Sequence, residues 1–216
     1  KNHRNLPERN KGRSQMKLYT NPQSRGARVS WTLAELGVPC ETVILDMSKG
    51  EHRSDEFRKI SPLCQLPVFE DNGQIIIESG AICVYLADKY PEKNLGPGTQ
   101  PAEYFQWCFY CFGSLEPALI GLLMHTRYLP EERRSAFAAG MHQEQLSKVL
   151  DHLESHMSGR DFLLGERFSV ADILVGGTLR WGQDRVPADR YPNLVAYIGR
   201  LAARPANIPI SQTAKS

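Results

Sequence analysis

Four groupings in this 216-residue chain have the residue types and spacing for chemistry. Ser24 follows a turn, Asn21-Pro22-Gln23, and stands before a run with Val29, Leu33 and Leu36 at helical spacing. Ser79 stands before a second such run, with Glu78 beside it. A hydroxyl at a helix start, with the unpaired N–H groups there, suits a carboxylate, and an adjacent glutamate suits an ammonium group. Cys108 and Cys111 have the spacing of a redox dithiol. His152 and His156 lie four apart, on one helical face, as two metal ligands would. The last two readings weaken on context. The cysteines fall inside a long helical pattern, whereas a redox dithiol wants a strand-to-helix junction, so apolar packing is expected there. The histidines lack an H-E-x-x-H pattern and further ligands, so a solvated face is expected and no metal.

The elements that must position these residues follow from pattern. Lys17–Thr20 reads as a strand, Ser24 to about Leu36 as a helix closed by Gly37, and Thr42–Leu45 as a second strand, which together make a right-handed βαβ unit. Helical potential recurs around Asp55–Arg58. Leu66–Phe69 and Ile75–Ile77 flank Asn72-Gly73, a hairpin signal. Ser79 to about Tyr90 is a helix, and Pro91 to Thr99 is rich in glycine and proline. Everything afterwards is helical: Pro101–Tyr128, a helix opened by Glu131-Glu132 and running to about Met157, one from a Ser169–Asp172 capping box to about Trp181, and one from Pro192 to near Ala203. Asp172 is expected to cap rather than catalyse. Four short strands need helices to cover them, so the fold class is α/β followed by all-α. The expected organisation is a basic tail at 1–15, an α/β domain at 16–90, a linker at 91–99, an all-helical domain at 100–206 and a C-terminal tail at 207–216.

Composition bounds the function. Hydrophobic residues at 41% and charged residues at 23% permit a folded core and exclude global disorder. The net charge of +2 is uneven, because residues 1–15 hold five cations against Glu8 and leave the body slightly acidic. That argues against nucleic acid as a partner. The longest clean apolar run, Ala118 to Met124, falls short of the about 20 residues that cross a bilayer, so no membrane partner is expected. The tail lacks an apolar signal region, Met16 resembles a natural start, and five cysteines fit no disulfide framework, so the expected location is the reducing cytoplasm.

The stretch SPLCQLPVFEDNGQIIIESGAICVYLADKYP (61–91) resembles the cytosolic glutathione transferase family, and FLLGERFSVADI (162–173) resembles the capping motif of that family's second domain. The resemblance spans roughly residues 16–205. It implies a thioredoxin-like first domain that binds glutathione as co-substrate and an all-helical second domain. It also implies a cis-proline at Pro67 whose neighbour Leu66 pairs its backbone with the peptide ligand by strand addition. Ser79 and Glu78 then hold the γ-glutamyl end. A Gly50-Glu51-His52 loop like that of the insect serine-type enzymes assigns His52 to the glycyl end, with Lys49, Arg53 and Lys59 as cationic alternatives. The second histidine of those enzymes is Cys64 here, and Gln65 is a candidate to replace part of its contact.

Matched without a gap to the insect serine-type pattern, TNPQSRGARV (20–29) puts Ser24 on the catalytic serine. Its hydroxyl would stabilise the glutathione thiolate at a positive helix end. Tyr19, Thr20 and Asn21 remain alternatives. The bacterial cysteine-type pattern would place Arg25 where that class has its cysteine, so a mixed disulfide is not expected. The implied activity is thiolate attack on an apolar electrophile, in a homodimer. Peroxide reduction, dehalogenation, isomerisation and a non-catalytic interaction module are the alternatives. The electrophile pocket is expected from the aromatic segment opening the helical domain, at Tyr104, Trp107, Cys108 and Cys111.

Overall fold

The computed structural model describes residues 16–207. The expected tail at 1–15, and all of the expected tail at 207–216 except Asn207, lie outside the described residues. Four strands, β1 (Met16–Thr20), β2 (Glu41–Ile44), β3 (Val68–Asp71) and β4 (Gln74–Ile77), form one sheet in the order β2-β1-β3-β4. The β1–β2 pair is parallel, with Lys17 opposite Glu41, and the other two pairs are antiparallel. The crossover is helix α1 (Gly26–Leu36), which ends as expected at Gly37 in the left-handed region. Gly26 is required by closeness: a Cβ there would meet Thr20 Oγ1 at 1.9 Å, so β1 and the start of α1 touch only because the side chain is missing. The hairpin turns on Asn72 and Gly73, both at positive φ.

Helix α2 (Asp55–Arg58) is capped by Ser54, whose hydroxyl accepts from the Phe57 N–H. Helix α3 (Ser79–Lys89) packs beside α1 on one face of the sheet, burying Ile82, Cys83 and Leu86 against Val29 and Leu36. The second half holds α4 (Pro101–Tyr110), α5 (Glu116–Leu123), α6 (Ala136–His156), α7 (Val170–Trp181) and α8 (Pro192–Ala202). α4 and α5 belong to one continuous helix, Pro101–Tyr128, interrupted by π turns at Cys111–Leu115 and Met124–Tyr128. The first π turn has a local cause: Pro117 donates no hydrogen bond and would crowd the carbonyl one turn before it in a regular helix. By length and composition Pro101–Tyr128 is apolar enough to cross a bilayer, yet it forms the centre of the second domain's core through Trp107, Leu115, Leu119 and Leu123.

Three local expectations change. Ser24 and Ser79 are not caps in the expected sense: Arg25 precedes α1, and Ser79 is the first residue of α3, behind Glu78 at φ 70°. Glu131–Arg133 is a single 3₁₀ turn, and α6 starts at Ala136 under a Ser135 cap, because the Ser135 hydroxyl accepts from the Ala138 N–H while neither glutamate offers such an acceptor. His156 is not on a solvated face. Its ring lies 4.3 Å from that of Trp107, and its Nε2 bonds the Leu163 carbonyl. The Ser169–Asp172 capping box is present as expected.

Candidate functional site

A cleft of about 1340 Å³ opens where the sheet domain meets the helical one. Ser24, His52, Gln65, Leu66, Pro67, Glu78 and Ser79 all line it. The Leu66-Pro67 peptide is cis. Leu66 lies just beyond the end of the β1–β3 ladder, whose last pair is Tyr19 with Val68, so its backbone faces the cleft at the sheet's end. The loop before it is fixed by Ser61, whose hydroxyl accepts from the Gln65 N–H and donates to the Gln65 carbonyl, both at 3.0 Å. Cys64 adopts positive φ in that loop and lines the cleft, where the resemblance had a histidine. His52 is 6% exposed, and its Nδ1 is buried with no hydrogen-bond partner among the described residues.

Ser24 sits in a knot of short contacts. Its hydroxyl donates to the Asn21 carbonyl at 2.8 Å, accepts from the Gly26 N–H at 3.1 Å and lies 3.2 Å from the Thr20 hydroxyl. The alternatives lie elsewhere: Tyr19, Thr20 and Asn21 do not line the cleft. The Tyr19 hydroxyl bonds Glu70, and burial holds its pKa above the ordinary tyrosine value. Thr20 is buried, and the Asn21 amide donates to the Leu45 carbonyl.

Ser79 is buried at the start of α3, where the first N–H groups of that helix face the cleft mouth. Under it lies a group that pattern reading did not single out as functional. Arg28, 4% exposed, reaches across from α1 and donates to Glu116 at 2.6 Å and to Thr178 at 2.5 Å. Its other nitrogen lies 3.5 Å from the Ser79 hydroxyl. Arg25 also pairs with Glu116. The available signal was position: Arg28 lies in the first turn of α1, four residues after Ser24.

The expected electrophile pocket is corrected. Tyr104, Trp107, Cys108 and Cys111 are core residues, none more than 5% exposed, and none lines the cleft. Burial pushes the Cys108 thiol up to about 12 and raises that of Cys111, which disfavours the thiolate at both. The second domain instead presents Phe112, Glu116, Arg127, Tyr128, Arg180 and Trp181. Phe112 seats directly on α3, since a Cβ at Gly80 would meet its ring at 2.4 Å. Among the described residues, no group of three or more potential metal ligands occurs.

Two family models match the chain, that of the glutathione S-transferase N-terminal domain over residues 14–88 and that of the C-terminal domain over residues 118–205. Protein LigF of a Sphingobium species is 31% identical over an alignment covering 88% of this chain and 91% of LigF. Glutathione S-transferase 3 of Zea mays is also 31% identical, over 88% of this chain and 90% of its own. The crystal structure of glutathione transferase URE2P6 from Phanerochaete chrysosporium, in complex with oxidized glutathione, superposes with a TM-score of 0.82 at 26% identity, covering 94% and 97% of the two chains. The chain belongs to the glutathione S-transferase family, with a thioredoxin-like N-terminal domain and a helical C-terminal domain.

Proposed function

We propose that this protein binds glutathione and conjugates its thiolate to electrophiles. The observation that carries this reading is the convergence, in one cleft, of the Leu66-Pro67 edge, the Glu78–Ser79 helix start, His52 and Ser24. Glutathione extends along Leu66 by strand addition. Its γ-glutamyl carboxylate meets Ser79 and the first N–H groups of α3, with Arg28 behind them adding positive charge. Glu78 receives the ammonium group. His52, buried and with its Nδ1 unpartnered among the described residues, takes the glycyl carboxylate, with Gln65 adjacent. This arrangement points the cysteinyl sulfur at Ser24. The hydroxyl then turns from the Asn21 carbonyl to the sulfur and favours the thiolate over the thiol. The thiolate forms a carbon–sulfur bond with the electrophile, and the leaving group departs with its electron pair.

The cellular setting we assign is a reducing one, in keeping with five free cysteines. We also assign a homodimer. The exposed aromatics Phe105 and Phe109 on α4, with the half-open hollow between α3 and α4 lined by Val84, Tyr85 and Phe105, offer an apolar face for it. Sedimentation at micromolar concentration should give twice the chain mass of 24.3 kDa, and a monomer overturns the assignment.

Retention on immobilised glutathione and conjugation of a chloronitrobenzene test the main reading. Ser79→Ala should weaken glutathione by about 1.5–3 kcal/mol by calorimetry, the range for a hydrogen bond to a charged group. Unchanged affinity in a folded variant overturns the docking.

A further inference from the structure

The wall of the cleft supplied by the helical domain has a composition that the glutathione reading leaves unused. Phe112, Tyr128 and Trp181 line it with rings. Tyr128 and Trp181 are stacked with centroids 6.5 Å apart, and the indole N–H donates to the Tyr128 hydroxyl at 3.0 Å. Arg25 lies over the Trp181 ring and shares the Glu116 carboxylate with Arg28. Arg127 and Arg180 also line this wall, one from the final π turn of the long helix and one from the last turn of α7. Neither forms an ion pair among the described residues. Arg180 donates to the neutral Asn207 amide. The acids lining the cleft are Glu78, assigned to the ammonium group, and Glu116, engaged by Arg25 and Arg28. Arg127 and Arg180 therefore stand beside a stack of rings with no counter-charge among the described residues that line the cleft.

An uncharged apolar electrophile would fill the ring surface and leave those charges unanswered. An aromatic acid satisfies both features at once, its ring against Trp181 and Tyr128 and its anionic group on the guanidinium fork. Resting on the glutathione reading, we infer that the preferred electrophiles are aromatic compounds bearing a carboxylate or a similar anionic substituent, held by Arg127 and Arg180. The anionic group takes no part in bond making: the thiolate displaces the leaving group from the ring or side-chain carbon, as for any electrophile.

Two readouts separate this inference from the reading beneath it. The first is unreactive binding, followed by quenching of tryptophan fluorescence. Nitrobenzoate should bind the wild-type protein about 10-fold more tightly than nitrobenzamide, and added salt should narrow the difference. The second is conjugation of chloronitrobenzoate and chloronitrobenzamide, each normalised to its uncatalysed reaction with glutathione. The ratio of their kcat/KM values should fall about 10-fold in the Arg127→Gln, Arg180→Gln double variant, with folding checked by circular dichroism. A ratio that does not move overturns the inference. So does equal binding of the two unreactive probes, or a double variant that loses retention on immobilised glutathione while keeping its preference for nitrobenzoate. Preferential nitrobenzoate binding without any conjugation upholds the anion site and refutes transferase chemistry.

Discussion

Ser24 holds its proton toward the Asn21 carbonyl and accepts from the Gly26 N–H, so its hydroxyl is oriented before any ligand arrives. Turning it to a thiolate exchanges a neutral acceptor for a charged one, which favours the turn. Ser24→Ala removes that bond and should raise the pKa of bound glutathione by about one to two units, equivalent to about 1.5–3 kcal/mol. The loss is largest where the thiol would otherwise be protonated. Conjugation should therefore fall by about 10- to 100-fold at pH 6.5, and the gap should close as pH rises. Thiolate absorbance against pH checks this, and a variant that titrates like the wild type reduces Ser24 to a turn residue. Ser24→Cys should accumulate a mixed disulfide under oxidised glutathione, visible by mass spectrometry. The residues lining this half of the cleft were legible because most come from turns or helix starts, which sequence marks clearly. The other half was not. Tyr104, Trp107, Cys108 and Cys111 share one helical face, and an apolar aromatic face of a long helix is first of all a core face. The facing set, Phe112 and Glu116, carries the carboxylate that marked the cleft side.

At the scale of elements, the same rule separates what pattern reveals from what it hides. Asn72-Gly73, Gly37 and the Ser169–Asp172 box are local devices whose chemistry is complete within four residues, and all three stand where pattern put them. The first π turn follows from Pro117 two residues beyond it, but the second has no such local marker and packs against α6, so pattern does not announce it. Asp172 shows how far a cap can extend. Its carboxylate accepts from the Ser169 and Leu163 N–H groups and from the Tyr197 hydroxyl, binding α7 to the preceding loop and to α8. Asp172→Ala should cost about 3 kcal/mol by urea denaturation, since it leaves buried donors unpaired. Burial pushes the Asp172 carboxyl up to about 6, against the opposing pull of these hydrogen bonds. An unfolded aspartate ionises near pH 3.9, so between about pH 4 and pH 6 the folded protein keeps a proton that the unfolded chain loses. Asp172 therefore contributes a stability that falls as pH rises through this window, and Asp172→Asn should lack that component of the slope.

Across the whole molecule, the two domains are joined by charge as well as by packing. Arg28 and Glu116, 4% and 7% exposed, meet at the domain junction with Thr178 as a third member. Arg204 makes a similar tie, forking onto Glu35 at 2.6 and 2.8 Å from just beyond α8 to α1. Removing one partner of a buried pair strands the other charge. Arg28→Met or Glu116→Leu should each cost about 3–5 kcal/mol by urea denaturation. The double variant should cost clearly less than the sum. Simple addition would show that the two residues act independently.

The Arg28 contact also has a consequence for synthesis. Residue 28 leaves the ribosome well ahead of residues 116 and 178, so the nascent sheet domain carries an arginine on its α1 face before either acceptor has emerged. Until then that face must stay hydrated and the helix cannot settle into its final seat. The first domain is thus a foldable outline whose closure waits for the second. Fragments that end before residue 100 should stay open and protease-sensitive, however complete their strands and hairpin.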